Sequence, residues 1–183
     1  MFRSKIIVAG AGGQGALRVG QMIAYAALSE GNETTWLPSY GAEMRGGTAN
    51  CNVIISDEEI PFVVVDDADY LIIMNNASLE KFESIACPNG TLILNSSMVD
   101  RPTTRTDLNI YHIPADFIAE EEGNTRGANM VLLGAYVAAS GNVALTTVNE
   151  YIDKSFVGSK AKYADANKRL VKRGYELVLA KQN

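Results

Sequence analysis

Lys5-Ile6-Ile7-Val8-Ala9-Gly10-Ala11-Gly12-Gly13-Gln14-Gly15 is an apolar, β-branched run that breaks into glycine. The run reads as a buried strand. Ala16 to Ser29 follows, with apolar residues almost all round at Leu17, Val19, Met22, Ile23, Ala26 and Leu28. That stretch reads as a buried helix closed by Gly31. Strand, glycine turn and helix together open an α/β fold. Gly10, Gly12 and Gly15 match G-x-G-x-x-G in the context that a dinucleotide fingerprint requires. Glycine lets the backbone come close to a ligand, and the free N–H groups of the helix start attract phosphate. The fingerprint also needs an acid about 20 residues on, at the end of the second strand. Here that strand ends Trp36-Leu37-Pro38-Ser39, and Glu33 lies before it. Three readings follow for Gly10, Gly12, Gly13, Gln14 and Gly15: a dinucleotide site missing its second half, a site for another anion such as a coenzyme A phosphate, or a plain strand-to-helix turn.

A second cluster, Pro38-Ser39-Tyr40-Gly41-Ala42-Glu43-Met44-Arg45-Gly46-Gly47-Thr48, lies between two strand-like runs. No periodic apolar pattern accounts for it, so it reads as a loop whose backbone goes where glycine goes most easily. An exposed Glu43–Arg45 ion pair is its plainest explanation, worth well under about 1 kcal/mol. The loop nevertheless starts at the C-terminal end of the second strand, beside the first glycine loop, where ligands and partners of open α/β sheets bind. Arg45 offers a planar fork to a carboxylate or phosphate. Tyr40, Glu43, Arg45, Gly46 and Gly47 are therefore candidate contacts. Asn124-Thr125-Arg126 precedes a small-residue, apolar helix, which puts Arg126 and Asn129 at a helix start near the same edge. A cap plus a surface arginine explains them equally well.

Further strands are expected at Thr34–Leu37, Thr48–Ile55, Ala68–Met74, Thr91–Leu94 and Asn109–Ile113. Alternation in the third strand puts Ala49, Cys51, Val53 and Ile55 on one face and Asn50 and Asn52 on the other, which should be partly wet or ligand-facing. Helices are expected at Asn76–Ala86, stopped by Pro88-Asn89-Gly90, then at Pro114–Glu122, Asn129–Ser140, Thr147–Phe156 with Thr146 or Thr147 as cap, and Ala161–Lys181. The expected fold is one three-layer α/β/α domain over residues 1–183, Rossmann-like, with a mostly parallel sheet and helices on both faces.

Composition sets the bounds. The chain has 183 residues, 47% hydrophobic and 20% charged, with a formal net charge of -5. An acidic chain without a basic run argues against nucleic acid. No run approaches the roughly 20 apolar residues that cross a bilayer. The N-terminus enters a strand without a signal-peptide pattern, so cytoplasm is expected. Cys51 and Cys87 are too few for a four-cysteine cluster and read as small buried hydrophobes. His112, the single histidine, reads as structural or superficial, and no metal site is expected. Asp66, Asp67 and Asp69 read as a strand-entry turn.

The two glycine clusters together, with Asn124-Thr125-Arg126-Gly127-Ala128-Asn129 and Leu133-Gly134-Ala135, resemble the gamma subunit of the 2-oxoacid:ferredoxin (acceptor) oxidoreductases. The run Pro38–Asn52 looks most like the 2-oxoglutarate type, with pyruvate and branched-chain types as neighbours. The resemblance implies one subunit of an enzyme that oxidatively decarboxylates a 2-oxoacid, transfers the acyl group to coenzyme A and reduces ferredoxin. Thiamine diphosphate, magnesium and Fe–S clusters are then expected in alpha-, beta- and delta-type partner subunits. This chain has neither the Gly-Asp-Gly…Asn thiamine signature nor a cysteine motif. No catalytic residue is expected here, no cofactor is held firmly, coenzyme A contact is possible, and the isolated chain should be inactive and apt to pair with itself. A stand-alone nucleotide-binding oxidoreductase and a non-catalytic scaffold are the alternatives.

Overall fold

The computed structural model describes residues 2–40 and 47–182, with Tyr40 and Gln182 described through their backbones. The strands are β1 (Arg3–Ala11), β2 (Glu33–Tyr40), β3 (Thr48–Ser56), β4 (Ala68–Ile73), β5 (Ala86–Asn95) and β6 (Asn109–Ile113). They form one sheet in the order β2-β3-β1-β4-β5-β6. β1, β4, β5 and β6 pair in parallel, and β3 runs antiparallel between β2 and β1. The sheet is thus mixed and mostly parallel, as the alternation of strands and helices implies. β3 pairs antiparallel with β2 from Tyr40↔Ala49 to Glu33↔Ser56.

The helices are α1 (Ala16–Ser29), α2 (Asn76–Phe82), α3 (Ala115–Glu121), α4 (Ala128–Ser140), α5 (Leu145–Ser155) and α6 (Ala164–Gln182). They cover the two faces unequally. On the first face, Ile6, Val8, Cys51, Val53, Ile72 and Ile93 meet apolar residues of α1, α3, α4, α5 and α6. On the second, Ile7, Ile54, Leu71, Leu92 and Leu94 meet Leu79 and Phe82 of α2, with Val65, Val99 and Leu108 from irregular segments. Asn75 caps α2 by accepting the Ser78 N–H at 2.8 Å. α4 is apolar all round because it is buried all round, and its Tyr136 is fully enclosed. The Tyr136 hydroxyl accepts from Asn142 Nδ2 at 3.1 Å, and burial raises its pKa above the ordinary phenol value.

Three expectations need correction. Pro88-Asn89-Gly90 does not follow a long helix. A single 3-10 turn at Glu83–Ile85 ends α2, and the three residues lie inside β5. There the pairing jumps from Ala68↔Ala86 to Tyr70↔Thr91, with Asn89 at φ 63°. Proline without an N–H and glycine without a Cβ are the residues a bulge accommodates. α5 starts at Leu145, with Ala144 rather than a threonine at its N-cap. The Ala144 N–H is donated to the Glu30 carboxylate at 2.8 Å, so a partner from α1 satisfies it. The C-terminal helix begins at Ala164, after a 3-10 segment at Gly158–Tyr163.

α4 and α6 touch backbone to backbone. A Cβ at Gly134 would overlap the Val171 carbonyl, and one at Gly174 would overlap the Val131 carbonyl. The pair works reciprocally, each glycine receiving the other helix. Gly134→Ala should therefore destabilise the fold by about 1–3 kcal/mol, an overpacking cost that exceeds the ~1 kcal/mol of helix propensity gained. A urea titration monitored by far-UV circular dichroism measures this, and Gly174→Ala should behave alike.

Candidate functional site

The glycine loop leaves β1 at Ala11 and enters α1 through Gly15, whose left-handed φ of 84° an L side chain rarely adopts. A Cβ there would also strike the Asn129 amide, so the starts of α1 and α4 are in contact. Gln14 holds the loop together. Its Oε1 accepts from the Ala11 N–H at 2.7 Å and from Asn75 Nδ2 at 2.9 Å. Its Nε2 donates to the Met74 carbonyl at 3.2 Å. The Gln14 side chain, expected among the ligand donors, thus works inside the protein, tying the end of β1 to the end of β4. Gly12 donates its N–H to the Gly47 carbonyl at 2.9 Å, which brings the two glycine clusters together.

Three clefts surround this loop. One of about 430 Å³ lies between the loop and the start of β3, against Gly13, Leu17, Arg18 and Thr48. A second, also about 430 Å³, is walled by Gly13, Gln14, Asn95, Asp116, Arg126 and Asn129. A third of about 360 Å³ is walled by Arg18, Arg126, Asn129, Phe156 and Tyr163. Asn129 borders the last two. It is buried at 8% exposure, and its amide has no hydrogen-bond partner among the described residues. The amide opens onto both clefts, where water or a ligand can pair it. Arg126 is exposed and makes no ion pair among the described residues. The Arg18 guanidinium sits 5.9 Å from the Tyr151 ring centroid and 5.6 Å from that of Phe156, and donates to Gln21 at 2.9 Å. It too has no carboxylate partner among the described residues. Asp116 accepts from Asn95 Nδ2 at 2.6 Å on the far wall. The edge can therefore grip an anion with two guanidinium groups, an amide and the free N–H groups of a helix start.

Gly10, Gly12, Gly13, Gly15, Gly47, Arg126 and Asn129 converge on this one edge. Tyr40 reaches it by its backbone at the end of β2. Glu43, Arg45 and Gly46, and with them Met44, lie outside the described residues. Sequence reasoning passed over Arg18 and Asp116. An arginine in the first turn of an otherwise apolar helix, set against the helix dipole, was the available signal for Arg18. Asn50, expected on a wet or ligand-facing side, is buried at 8% exposure, while Asn52 is half-buried. His112 is exposed, and its carbonyl accepts from Lys181 Nζ at 2.9 Å. Asp67 and Asp69 form a strand-entry turn around Lys5, whose ammonium pairs with Asp67 and whose N–H is donated to Asp69 at 2.8 Å. Both cysteines are free, Cys51 buried and Cys87 half-buried.

The fold is an α/β sheet with a glycine-loop edge bordered by Arg18, Arg126 and Asn129. Comparison with known proteins narrows the class. A protein-family profile described as Pyruvate ferredoxin/flavodoxin oxidoreductase matches residues 5–177, and the chain belongs to that family. The ketoisovalerate oxidoreductase subunit VorA of Methanothermobacter thermautotrophicus is 37% identical over 177 residues, covering 94% of this chain and 36% of that protein. The 2-oxoglutarate synthase subunit KorC of Methanothermobacter marburgensis is 35% identical over 161 residues, 84% of this chain and 87% of that protein. The crystal structure of a keto/oxoacid ferredoxin oxidoreductase gamma subunit from Geobacter sulfurreducens PCA superposes with a TM-score of 0.82 at 27% identity, over 97% of this chain and 99% of that one. A chain of the 2-oxoglutarate:ferredoxin oxidoreductase from Magnetococcus marinus, solved with 2-oxoglutarate, coenzyme A and succinyl-CoA bound, superposes with a TM-score of 0.90 at 26% identity, over 98% of this chain and 32% of that one. The chain thus spans about a third of the length of the VorA protein and of the Magnetococcus chain.

Two outcomes check the site's construction. Gln14→Ala would orphan the Ala11 N–H and the Met74 carbonyl, and should cost about 1–3 kcal/mol in a thermal or urea melt. Burial pushes the Cys51 thiol up to about 12, so it stays protonated at pH 8. It should resist iodoacetamide at that pH in the folded chain and react after denaturation, as read by mass spectrometry.

Proposed function

We propose that residues 1–183 act as one gamma-type domain of a multisubunit 2-oxoacid:ferredoxin oxidoreductase. The domain supports coenzyme A-dependent oxidative decarboxylation of a 2-oxoacid, with 2-oxoglutarate as the favoured substrate. Alpha-, beta- and delta-type subunits would carry thiamine diphosphate, magnesium and the Fe–S clusters, and a cytoplasmic ferredoxin would take the electrons. Family membership and the resemblance to the KorC subunit support this reading. Two cysteines, one buried and one half-buried, suit no cluster in this chain. Among the described residues no helix is long and apolar enough to cross a membrane.

The observation that supports a role for the chain beyond scaffolding is the Asn129 amide, open to two clefts beside Arg126, neither with a side-chain partner among the described residues, at the mouth of the glycine loop. This donor set fits the phosphates of coenzyme A. When bound, coenzyme A would supply the thiol that accepts the acyl group. Arg126 and Arg18 would neutralise phosphate charge, Asn129 would donate to a phosphate or amide oxygen, and Gly13 would admit the ligand close to the backbone. Their task is to bind and orient, which raises the local concentration of the thiol near a carbon held by another subunit.

Calorimetric titration of the full chain with coenzyme A, NADH and AMP separates the alternatives. Binding of coenzyme A in preference to NADH is expected, and the reverse preference would overturn the reading. In the assembled enzyme, Arg126→Ala should raise the KM for coenzyme A about tenfold, the equivalent of ~1.4 kcal/mol, and leave the thermal melt unchanged.

A further inference from the structure

The second face of the sheet is covered only in part. α2 packs there against β1 and β4, whereas the helix packed on β2 and β3 is α1, which lies on the first face. Thr35, Leu37 and Ser39 of β2 pair with Ile54, Asn52 and Asn50 of β3, and all six side chains share the second face. Leu37 and Ser39 are exposed, and Asn52 is half-buried. The Asn50 amide has no hydrogen-bond partner among the described residues. Parallel strands are normally covered on both faces, whereas an antiparallel pair such as β2 and β3 can leave one face to water. Among the described residues, no helix covers this half-face.

A strap leaves the foot of β3 and enters β4, reading Asp57-Glu58-Glu59-Ile60-Pro61-Phe62-Val63-Val64-Val65-Asp66-Asp67. Ile60 and Val65 anchor it in the second-face cluster that also holds Ile54. The residues between are turned out. Phe62 is 79% exposed, Val64 63% and Val63 41%. A contiguous apolar, β-prone run held at both ends is an association surface that a free protein normally shields. Carboxylates flank it. Asp67 is neutralised by Lys5, but Glu58, Glu59 and Asp66 form no ion pair among the described residues. This foot of the sheet is the end opposite the glycine loop.

We propose that the strap Ile60–Val64, beside the partly covered half-face of β2 and β3, is a docking surface for a partner subunit whose contact face is an apolar recess bordered by lysine and arginine. The flanking charge selects this occupant. Two copies of this chain meeting strap to strap would set Glu58, Glu59 and Asp66 against the same carboxylates, and like charges across an interface oppose pairing. Phe62 is the anchor, since a rigid aromatic side chain brings large contact area at little entropic cost. The surface rests on the subunit reading given above, but not on the coenzyme A site.

The test is co-expression of the full chain with the other subunits of its own enzyme, followed by sedimentation and quantitative co-purification at low and high salt. Wild-type assembly that weakens as salt rises is expected. Phe62→Ser with Val64→Ser, and separately Glu58→Lys with Glu59→Lys, should each weaken assembly about tenfold or more, with thermal melts unchanged. The apolar pair should also abolish dye binding to the free chain, which the charge pair should not. Full assembly of both variants overturns the docking surface alone. A homodimer of the free chain that Phe62→Ser dissolves also overturns it, making a second copy the occupant. Failure of the wild-type chain to join those subunits at all brings down the subunit reading and this proposal with it.

Discussion

The carboxamide of Gln14 is the constraint on which the functional edge depends. One side chain binds the Ala11 N–H, the Asn75 amide and the Met74 carbonyl, and so fixes the exit of β1 against the exit of β4. With that distance fixed, Gly15 can take its left-handed turn and present the first N–H groups of α1 outward. With Gly15 in place, Asn129 can lie against it and bring the start of α4 to the same spot. Three chain segments distant in sequence thus share one rim. A phosphate-bearing ligand meets an arrangement already built, and little ordering entropy is left to oppose binding.

Unequal coverage of the sheet follows from the order of elements. β2 and β3 pair antiparallel at one end of the sheet, and the helix packed on them, α1, lies on the first face. A fold that alternated strictly would have supplied a second helix there. The chain keeps an exposed apolar strap at the foot of the sheet and a polar, arginine-bearing rim at the other end. The proposed ligand contacts and the proposed subunit contacts therefore draw on different atoms.

Much of this was legible in the residues. Ala16–Ser29 and Asn109–Ile113 are found with the bounds that the apolar pattern implies, because glycines flank the first and Pro114 follows the second. The convergence of Gly10–Gly15 with Gly47 and Asn129 was legible too, since open α/β sheets gather such loops at the C-terminal ends of their strands. What escaped was tertiary. Pro88-Asn89-Gly90 has the composition of a turn, and pairing with β4 decides that it is a bulge. Thr146 and Thr147 are good caps in isolation, but α5 already starts at Leu145, with the Ala144 N–H donated to Glu30 from far away in the chain. Gln14 has the residue type of a ligand donor, and its position between two strand ends turns it inward. Arg18 needed the aromatic pair Tyr151 and Phe156, from another helix, to become visible.

The glycine contact between α4 and α6 has a mechanical consequence. Helices that meet through side chains can slide, because rotamers absorb the movement. These two meet through carbonyl oxygens and Cα atoms at Gly134 and Gly174, and no soft layer lies between them. Arg173 on α6 also grips Glu121 and Glu122 at the end of α3, each at 2.9 Å. α4 and α6 are therefore fixed to one another at this crossing, and Lys181, in the last turn of α6, donates to the His112 carbonyl of the edge strand β6 at 2.9 Å.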